Sequence, residues 1–260
     1  MIFTPPFHFE LQYSKIFCVQ NAKQTGKMIK KNALRSKSKL VLFDLDNTLL
    51  NGDSDHEWGE FLIRKGLVDE RKHRMQNDMF YEQYQNSILD IYDYVRFTLK
   101  PVLSLNHTQL SFMHSEFMSS SIRPLILSQA RALVNDHLKA NDFCIIITAT
   151  NEYIAAPIAK EFKVNHFFGT SLEKFSRKKE FFYTGEISGT PCYQHGKVEK
   201  IKQWLKSRAD LTLADSVFYS DSINDIPLLE QVSTPVVVDG DQKLVKIAVE
   251  RGWEQRSLRN

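Results

Sequence analysis

Four short apolar runs divide the chain from residue 38 onwards. Each is four to six residues long and mostly aliphatic, without alternation of apolar and polar positions: Leu40–Leu45, Phe143–Thr148, Ser216–Ser220 and Pro235–Val238. Continuous runs of this length are typical of strands buried on both faces, and such strands form parallel sheets covered by helices. The pattern therefore predicts an α/β fold with a doubly wound, Rossmann-like parallel sheet.

Helical periodicity fills the spaces after the second run. It predicts helices over Asn151–Phe162, Gly196–Arg208, Ile226–Gln231 and Gln242–Arg251. The aromatic stretch Arg177–Ile187, which surrounds Gly185, instead favours an antiparallel hairpin at a sheet edge.

About one hundred residues separate the first two predicted strands, which is far beyond a normal crossover. Most of this interval has helical periodicity: Asp55–Lys65, Glu70–Gln85, Ile88–Leu99, Thr108–Ser119 and Pro124–Lys139. We expect a helical cap domain at 54–122, inserted after the first strand, and a core formed by 38–53 and 123–255. The aromatic residues of the cap are expected to form the core of the helical bundle, and a binding box is the alternative: Trp58, Phe61, Phe80, Tyr81, Tyr84 and Tyr92.

Composition is that of a globular protein, with 42% hydrophobic and 25% charged residues, which excludes disordered and collagen-like chains. No apolar run is long enough to span a bilayer. The three cysteines are too far apart for a disulfide framework or a CxxC metal site, so we expect a reducing, cytoplasmic location. No stable membrane association is expected, and the oligomeric state is left open.

Charge is distributed unevenly along the chain. Residues 1–39 hold eight Lys or Arg against one acid, and the remainder holds 26 against 30. A mildly acidic body with a basic tail argues against a nucleic-acid-binding domain. We expect 1–37 to be a disordered extension; an organellar targeting segment or an over-extended start, with Met28 as the first residue, is the alternative.

Polar residues follow the predicted strands where they end. Asp44 and Asp46 come directly after the first strand, where two like charges need a neighbouring cation; an ordinary Asx turn is the alternative. Thr148 ends the second strand, either as an anion-binding hydroxyl or within a helix cap.

Two later segments add to this set. Lys197 lies in the first turn of a predicted helix, against the helix dipole, although it could equally be a solvated lysine. Asp221, Asn224 and Asp225 follow the third strand, where Asn224 or Asp225 could also cap the next helix. Ligands bind at the carboxyl edge of open α/β sheets. Carboxylates gathered there need a divalent cation with oxygen ligands, and Mg²⁺ is the natural choice.

These segments, in this order, resemble the motifs of the haloacid dehalogenase superfamily. They are Asp44-Leu45-Asp46-Asn47-Thr48, the strand-end Thr148, Lys197 and Ser220-Asp221-Ser222-Ile223-Asn224-Asp225. The position of the expected cap resembles the phosphoserine-phosphatase-like branch, subfamily IB. The stretches 44–55, 148–151 and 189–192 are similar to bacterial members of the histidinol-phosphatase type.

The resemblance implies an Mg²⁺-dependent phosphomonoesterase. Asp44 would be the nucleophile that forms an aspartyl-phosphate, and Asp46 the general acid and base. Mg²⁺ would be held by the Asp44 and Asp221 carboxylates and the Asp46 carbonyl. Thr148, Lys197 and Asn224 would bind the phosphoryl group, with Asp225 supporting Lys197.

The implied substrate is a small phosphorylated metabolite, such as histidinol phosphate or phosphoserine. Asp53 and Asp55, where cap and core would join, are candidates for binding a substrate ammonium, or else turn and N-cap residues. Arg96 is a candidate for binding a substrate carboxylate, or else a surface ion-pair residue. A phosphotransferase or phosphomutase, and a non-catalytic phosphate-binding module, are the alternative functions.

Overall fold

A six-stranded parallel sheet forms the centre of the computed structural model, which describes residues 38–259. The strands in chain order are β1 Leu40–Phe43, β2 Phe143–Asn151, β3 His166–Thr170, β4 Leu172–Arg177, β5 Glu180–Ile187, β6 Ser216–Ser220, β7 Thr234–Val238 and β8 Glu254–Arg256. The sheet order is β3-β2-β1-β6-β7-β8, and β4 and β5 form a separate pair. The expected α/β fold with a parallel sheet is confirmed.

Helices lie between the strands and in the long interval after β1. They are α1 Ser54–Arg64, α2 Glu70–Gln85, α3 Ile91–Leu99, α4 His107–Phe117, α5 Ser128–Lys139, α6 Glu152–Glu161, α7 His195–Leu205, α8 Ile226–Leu229 and α9 Gln242–Arg251. Four of these begin after an Asp whose side chain accepts from a main-chain N–H of the first turn: α1, α2, α3 and α9. The expected helix over Ile88–Leu99 begins later, at Ile91, because Asp90 is its N-cap.

The pairing register of β1 determines which residues lie together at the carboxyl edge of the sheet. Its last residue, Phe43, pairs with Ile146 of β2 on one side and with Tyr219 of β6 on the other. The residues that follow these strands are therefore neighbours at the carboxyl edge of the sheet. All four residues of β1 have no exposed surface, as expected for a central strand.

Each face of the sheet has its own hydrophobic core. Val41 and Phe43 point to one face, where they belong to the same buried cluster as Trp58 of α1. Leu40 and Leu42 point to the other face and belong to a cluster with residues of α7, α8 and α9. The side chains of a strand alternate between faces, so one short run supplies both cores. The helices that follow β1 are thereby fixed to one face.

The hairpin differs from the expectation in two ways. It forms a separate sheet and does not extend the main one. Its turn is at Lys178 and Lys179, which both have positive φ, as tight hairpin turns require. Gly185, with φ +93°, lies beside a register irregularity within β5. The glycine therefore marks a bulge within the second strand of the hairpin and not its turn.

The described residues 38–259 fall within one compact unit, so the division into core and cap stays a prediction. The expectations for 1–37, including Met28, lie outside the described residues. Within 38–259, no helix is long and apolar enough to cross a membrane. Cys144 and Cys192 are buried free thiols.

Candidate active site

Asp44 and Asp221 meet at the carboxyl edge of the sheet. The Asp44 main-chain N–H donates to the Tyr219 carbonyl, at 2.9 Å, which continues the β1–β6 pairing. The Thr48 hydroxyl donates to Oδ1 of Asp221 at 2.9 Å and accepts from the Asp221 N–H at 3.0 Å. The loop after β1 is therefore tied to the loop after β6, and this fixes both carboxylates.

Lys197 lies next to Asp44, with only 2% of its side chain exposed. Its Nζ donates to Oδ1 of Asp44 at 2.7 Å and to Oδ2 of Asp225 at 2.8 Å. The Ser220 hydroxyl also donates to Oδ2 of Asp225, at 2.7 Å. Lys197 is thus a buried ion-pair residue, and the alternative of a solvated lysine is wrong.

Close packing at the start of α7 brings Lys197 into the site. A Cβ on Gly196 would overlap the carbonyl oxygen of Pro191, so only glycine allows the chain to pass there. Gln194, two residues before Gly196, has φ +48° and ψ −118°, a conformation that is costly for a residue other than glycine. Local strain is therefore concentrated next to the lysine.

Asp46 has hydrogen bonds to both of its carboxylate oxygens. The Ser54 N–H donates to Oδ1 at 2.6 Å, and the Thr150 hydroxyl donates to Oδ2 at 2.7 Å. The Thr148 hydroxyl is 3.5 Å from the same Oδ2. Asn151 is the residue that caps α6, through a bond from the Ile154 N–H, which leaves the Thr148 hydroxyl on the site side.

Burial raises the pKa of Asp44 to about 7, although the Lys197 ammonium opposes the shift. Burial and the Asp44 carboxylate hold the pKa of Asp221 well above its ordinary value. Burial alone would lower the pKa of Lys197, but the Asp225 and Asp44 carboxylates outweigh it and raise that pKa. Acidic groups outnumber the single buried ammonium, and a further cation would relieve their repulsion.

A second acidic group surrounds Asp46. Burial, followed by the Asp53 carboxylate, raises the pKa of Asp46 to about 6. Burial also raises the pKa of Asp53, and burial with the Asp53 and Asp46 charges raises that of Asp55 well above its ordinary value. Asp53 caps α1 by accepting from the His56 N–H at 2.8 Å, so the N-cap alternative describes it correctly.

A cavity of about 30 Å³ lies between these acids and the helices that follow β1. Its walls are Asp44, Asp46, Asp53, Asp55, Phe80, Tyr81, Tyr84, Leu89, Ile91, Tyr94, Thr148, Ala149 and Thr150. Three of the aromatic residues expected in the core of the helical bundle, Phe80, Tyr81 and Tyr84, line this cavity. Trp58 and Phe61 are buried in the cluster that they share with Val41 and Phe43 of β1, and Tyr92 is exposed. Phe80 is also buried, in a small cluster with Leu89 and Ile91 against which Tyr84 packs, so the expected core role is confirmed for Phe80. Tyr81 and Tyr84 line the cavity, which is the binding-box alternative.

Two candidate residues lie apart from the cavity wall. The side chain of Arg96 is half exposed and pairs with Glu186 at 2.9 Å and with Asp93 at 3.0 Å, which is the surface ion-pair alternative. Asn224 is buried beside the site, and its amide binds Tyr84 and Tyr193. Its helix-capping alternative is wrong, because α8 has no side-chain cap.

The donor set at the sheet edge suits a magnesium ion. In the described part of the chain, no three His, Cys, Asp or Glu side chains group closely enough to hold a metal. The implied set needs only two carboxylates and a main-chain carbonyl. Among the residues described, the hydrogen bonds to Asp44 and Asp221 engage Oδ1 of each side chain, which leaves Oδ2 for a cation. An all-oxygen set with an excess of negative charge fits Mg²⁺.

Sequence comparison relates the chain to known hydrolases. The family model described as haloacid dehalogenase-like hydrolase matches residues 41–230. Histidinol-phosphatase of Neisseria meningitidis serogroup C (strain 8013) is 44% identical over 216 residues, covering 82% of this chain and 96% of that protein. Phosphoserine phosphatase SerB1 of Mycobacterium tuberculosis (strain ATCC 25618 / H37Rv) is 30% identical over 225 residues, covering 84% and 70%.

Solved structures agree with this relationship. A protein of unknown function from Bordetella pertussis Tohama I has a TM-score of 0.77 and 40% identity, covering 86% of this chain and 100% of that one. A substrate-bound phosphoserine phosphatase has a TM-score of 0.62 at 13% identity, covering 86% and 94%, and shows the shared fold. The resemblance found in the sequence is confirmed: the chain belongs to the haloacid dehalogenase-like hydrolase family.

Proposed function

We propose that the chain is an Mg²⁺-dependent phosphomonoesterase that hydrolyses a small phosphorylated metabolite through an aspartyl-phosphate on Asp44. Its relatives support a phosphatase of this family. The observation that carries the finer proposal is the state of Asp44. Lys197 holds Oδ1 of this buried carboxylate at 2.7 Å, and Asp44 is part of the cavity wall.

The residues present can carry both halves of the reaction. In the first, an Asp44 oxygen forms a bond to phosphorus while the bond from phosphorus to the substrate oxygen breaks, and Asp46 gives its proton to that leaving oxygen. In the second, water attacks the phosphorus, Asp46 takes its proton, and the bond to Asp44 breaks. Inorganic phosphate is released and the Asp44 carboxylate returns. A pKa near 6 allows Asp46 to act as acid and base in turn.

Phosphate binding falls to groups that donate hydrogen bonds at the sheet edge. The Lys197 ammonium contacts the Asp44 carboxylate at 2.7 Å, and the Thr148 hydroxyl is 3.5 Å from the Asp46 carboxylate. The Asp44 and Asp221 carboxylates and the Asp46 carbonyl would hold Mg²⁺. When bound, the ion supplies charge neutralisation between these carboxylates and the phosphoryl oxygens. Asp225 keeps Lys197 in place through its ion pair.

The cavity favours a substrate that bears an amine and lacks a carboxylate. Asp53 and Asp55 line the cavity together with Asp46, and the Asp53 carboxylate is close enough to raise the pKa of Asp46. No Lys, Arg or His is among the lining residues within 38–259. A substrate ammonium would relieve the repulsion among these acids, whereas a substrate carboxylate would add to it. Histidinol phosphate carries an ammonium and no carboxylate, and phosphoserine carries both.

Phosphate release from purified protein tests the proposal. We expect Mg²⁺-dependent release from histidinol phosphate with a higher kcat/KM than from phosphoserine. Asp55→Asn should raise KM for the amine substrate by about ten- to a hundredfold, the range for a lost charge-assisted hydrogen bond. p-Nitrophenyl phosphate, which has no amine, serves as the matched control and should change little.

The alternatives are separated by the same assay. Transfer of phosphate to an added alcohol, with less free phosphate than alcohol product, would indicate a phosphotransferase. No turnover on a broad panel of phosphomonoesters with Mg²⁺ would indicate a non-catalytic phosphate-binding module. A preference for phosphoserine would contradict the proposed role of the acidic end of the cavity.

A further inference from the structure

The side-chain amide of Asn224 has no free hydrogen-bonding position. Its Nδ2 donates to the Tyr84 carbonyl at 2.9 Å and to the Ser222 hydroxyl at 3.3 Å. Its Oδ1 accepts from the Tyr193 hydroxyl at 3.1 Å and from Gln194 Nε2 at 3.2 Å. An amide offers two donors and two acceptor sites, so all four are in use. While these bonds last, Asn224 cannot also bind phosphate, the role that the resemblance implies.

The Tyr84 carbonyl belongs to the last turn of α2. Carbonyls at the end of a helix lack partners inside the helix and are available to other groups. The neighbouring Gln85 carbonyl and the Asn86 side chain accept from Nζ of Lys243, on α9, at 3.1 and 3.3 Å. The Tyr84 hydroxyl donates to Ser222 at 3.2 Å. The end of α2 is thus held by side chains from two elements at the carboxyl edge of the sheet.

The loop that binds this helix end is also the loop of the site. Ser222 and Asn224 lie between Asp221 and Asp225, the two acids that follow β6. Tyr84 is part of the cavity wall. Release of the Asn224 bond would therefore free one wall of the cavity without removing any group that holds Lys197 or Asp44.

We propose that Asn224 is a positioning residue that fastens the end of α2 over the cavity, with Lys243 as a second attachment point, and that it is not a phosphate ligand. The inference rests on the proposed function only in locating the substrate in this cavity. Loss of either attachment should weaken substrate binding through the cavity wall and leave phosphate binding nearly unchanged.

Three variants test this inference: Asn224→Ala, Lys243→Met and, as the matched control, Lys246→Met. Lys246 is exposed on the same helix as Lys243. Loss of the Asn224 bond to Tyr84, or of the Lys243 bonds to Gln85 and Asn86, should speed hydrogen exchange of main-chain amides at 82–90 by about three- to tenfold in the first two variants. KM for histidinol phosphate, or for the best substrate found, should rise by a similar factor. The inhibition constant of inorganic phosphate and kcat should stay within about twofold, and the control should match wild type.

Other outcomes would overturn the inference. A tenfold rise in the phosphate inhibition constant of Asn224→Ala, with unchanged exchange at 82–90, would make Asn224 a phosphate ligand. Unchanged exchange in Lys243→Met, which does not border the cavity, would remove the second attachment point even if Asn224→Ala failed to fold. If wild-type protein released no phosphate from any substrate, the proposed function would fail, and the exchange measurement would still decide whether Asn224 fastens α2.

Discussion

Replacement of Lys197 by methionine isolates the charge at the centre of the site. Methionine keeps most of the volume of the lysine stem and removes the ammonium. In the native protein this ammonium contacts Asp44 and Asp225, and each of these side chains is at most 5% exposed. The variant would bury two carboxylates without their cation. Removal of one partner from a buried ion pair typically costs about 3–5 kcal/mol of unfolding free energy.

The loss of unfolding free energy in Lys197→Met should depend on pH, and the structure predicts whether it grows or shrinks as pH rises. Without metal, the pKa of Asp44 is about 7 in the native protein, so above pH 7 this group is ionised. In the variant the carboxyl loses its cation, and its pKa rises further. It then holds a proton above pH 7 that the unfolded chain has released. The difference in unfolding free energy between wild type and variant therefore grows above pH 7, by up to about 1.4 kcal/mol per pH unit for each affected carboxyl.

Urea unfolding at pH 6, 7 and 8 with EDTA measures both quantities. Lys202→Met, an exposed position on the same helix, should change the free energy of unfolding by less than about 0.5 kcal/mol. Adding Asp225→Asn to Lys197→Met should restore part of the loss, since one unpaired carboxylate is then removed. A cost below about 1 kcal/mol with parallel pH curves would show that Lys197 does not neutralise these carboxylates.

Four further outcomes follow from the same geometry. Asp44→Asn should abolish phosphate release while the circular dichroism spectrum stays native, and full hydrolysis of p-nitrophenyl phosphate by this variant would refute a nucleophilic Asp44. Asp46→Asn should lower kcat by about 10²–10⁴-fold, the usual contribution of a general acid–base group, and a change below threefold would assign that role elsewhere. Because their folded-state pKa values of about 7 and 6 are raised, Asp44 and Asp46 contribute stability that is lost as pH rises through those values, so the metal-free melting temperature should fall between pH 5.5 and 8. Mg²⁺ should raise the melting temperature more at pH 8 than at pH 5.5, since it competes with the proton on Asp44; an equal effect at both pH values would place the ion elsewhere.

The central strands could be predicted because a strand that is buried on both faces needs a continuous run of apolar residues. β1 and β6 are continuous apolar runs, and Asp44 and Asp221 follow them directly. An edge strand does not need such an apolar run. β8 is Glu254–Arg256, three exposed polar residues that pair with one neighbour only. Periodicity therefore finds the middle of the sheet, where the site lies, and misses its borders.

Contacts between distant segments could not be predicted in the same way. Tyr84 and Ser222 are 138 residues apart, and their meeting depends on how α2 is rotated and tilted on the core. Sequence showed that α2 carries aromatic residues but not which of them face the site. Thr150 is a similar case, because its bond to Asp46 depends on the strand continuing to Asn151 beyond the expected end at Thr148. Side-chain roles of this kind follow from packing geometry that composition and spacing leave undetermined.

The distribution of charge in the site is complementary to that of the proposed substrate. One acidic group, Asp44 and Asp221, lies at the sheet edge, where Lys197 pairs with Asp44. The other, Asp53 and Asp55, lines the cavity together with Asp46. In the proposed function, a bound phosphate would add negative charge at the first group and Mg²⁺ would offset it, whereas no Lys, Arg or His lines the cavity within 38–259 to offset the second group. An amine-bearing phosphomonoester would supply that cation on the same molecule, so its binding would neutralise both groups. A substrate with an added carboxylate would leave the second group under greater repulsion, and this difference is the physical basis for the expected preference.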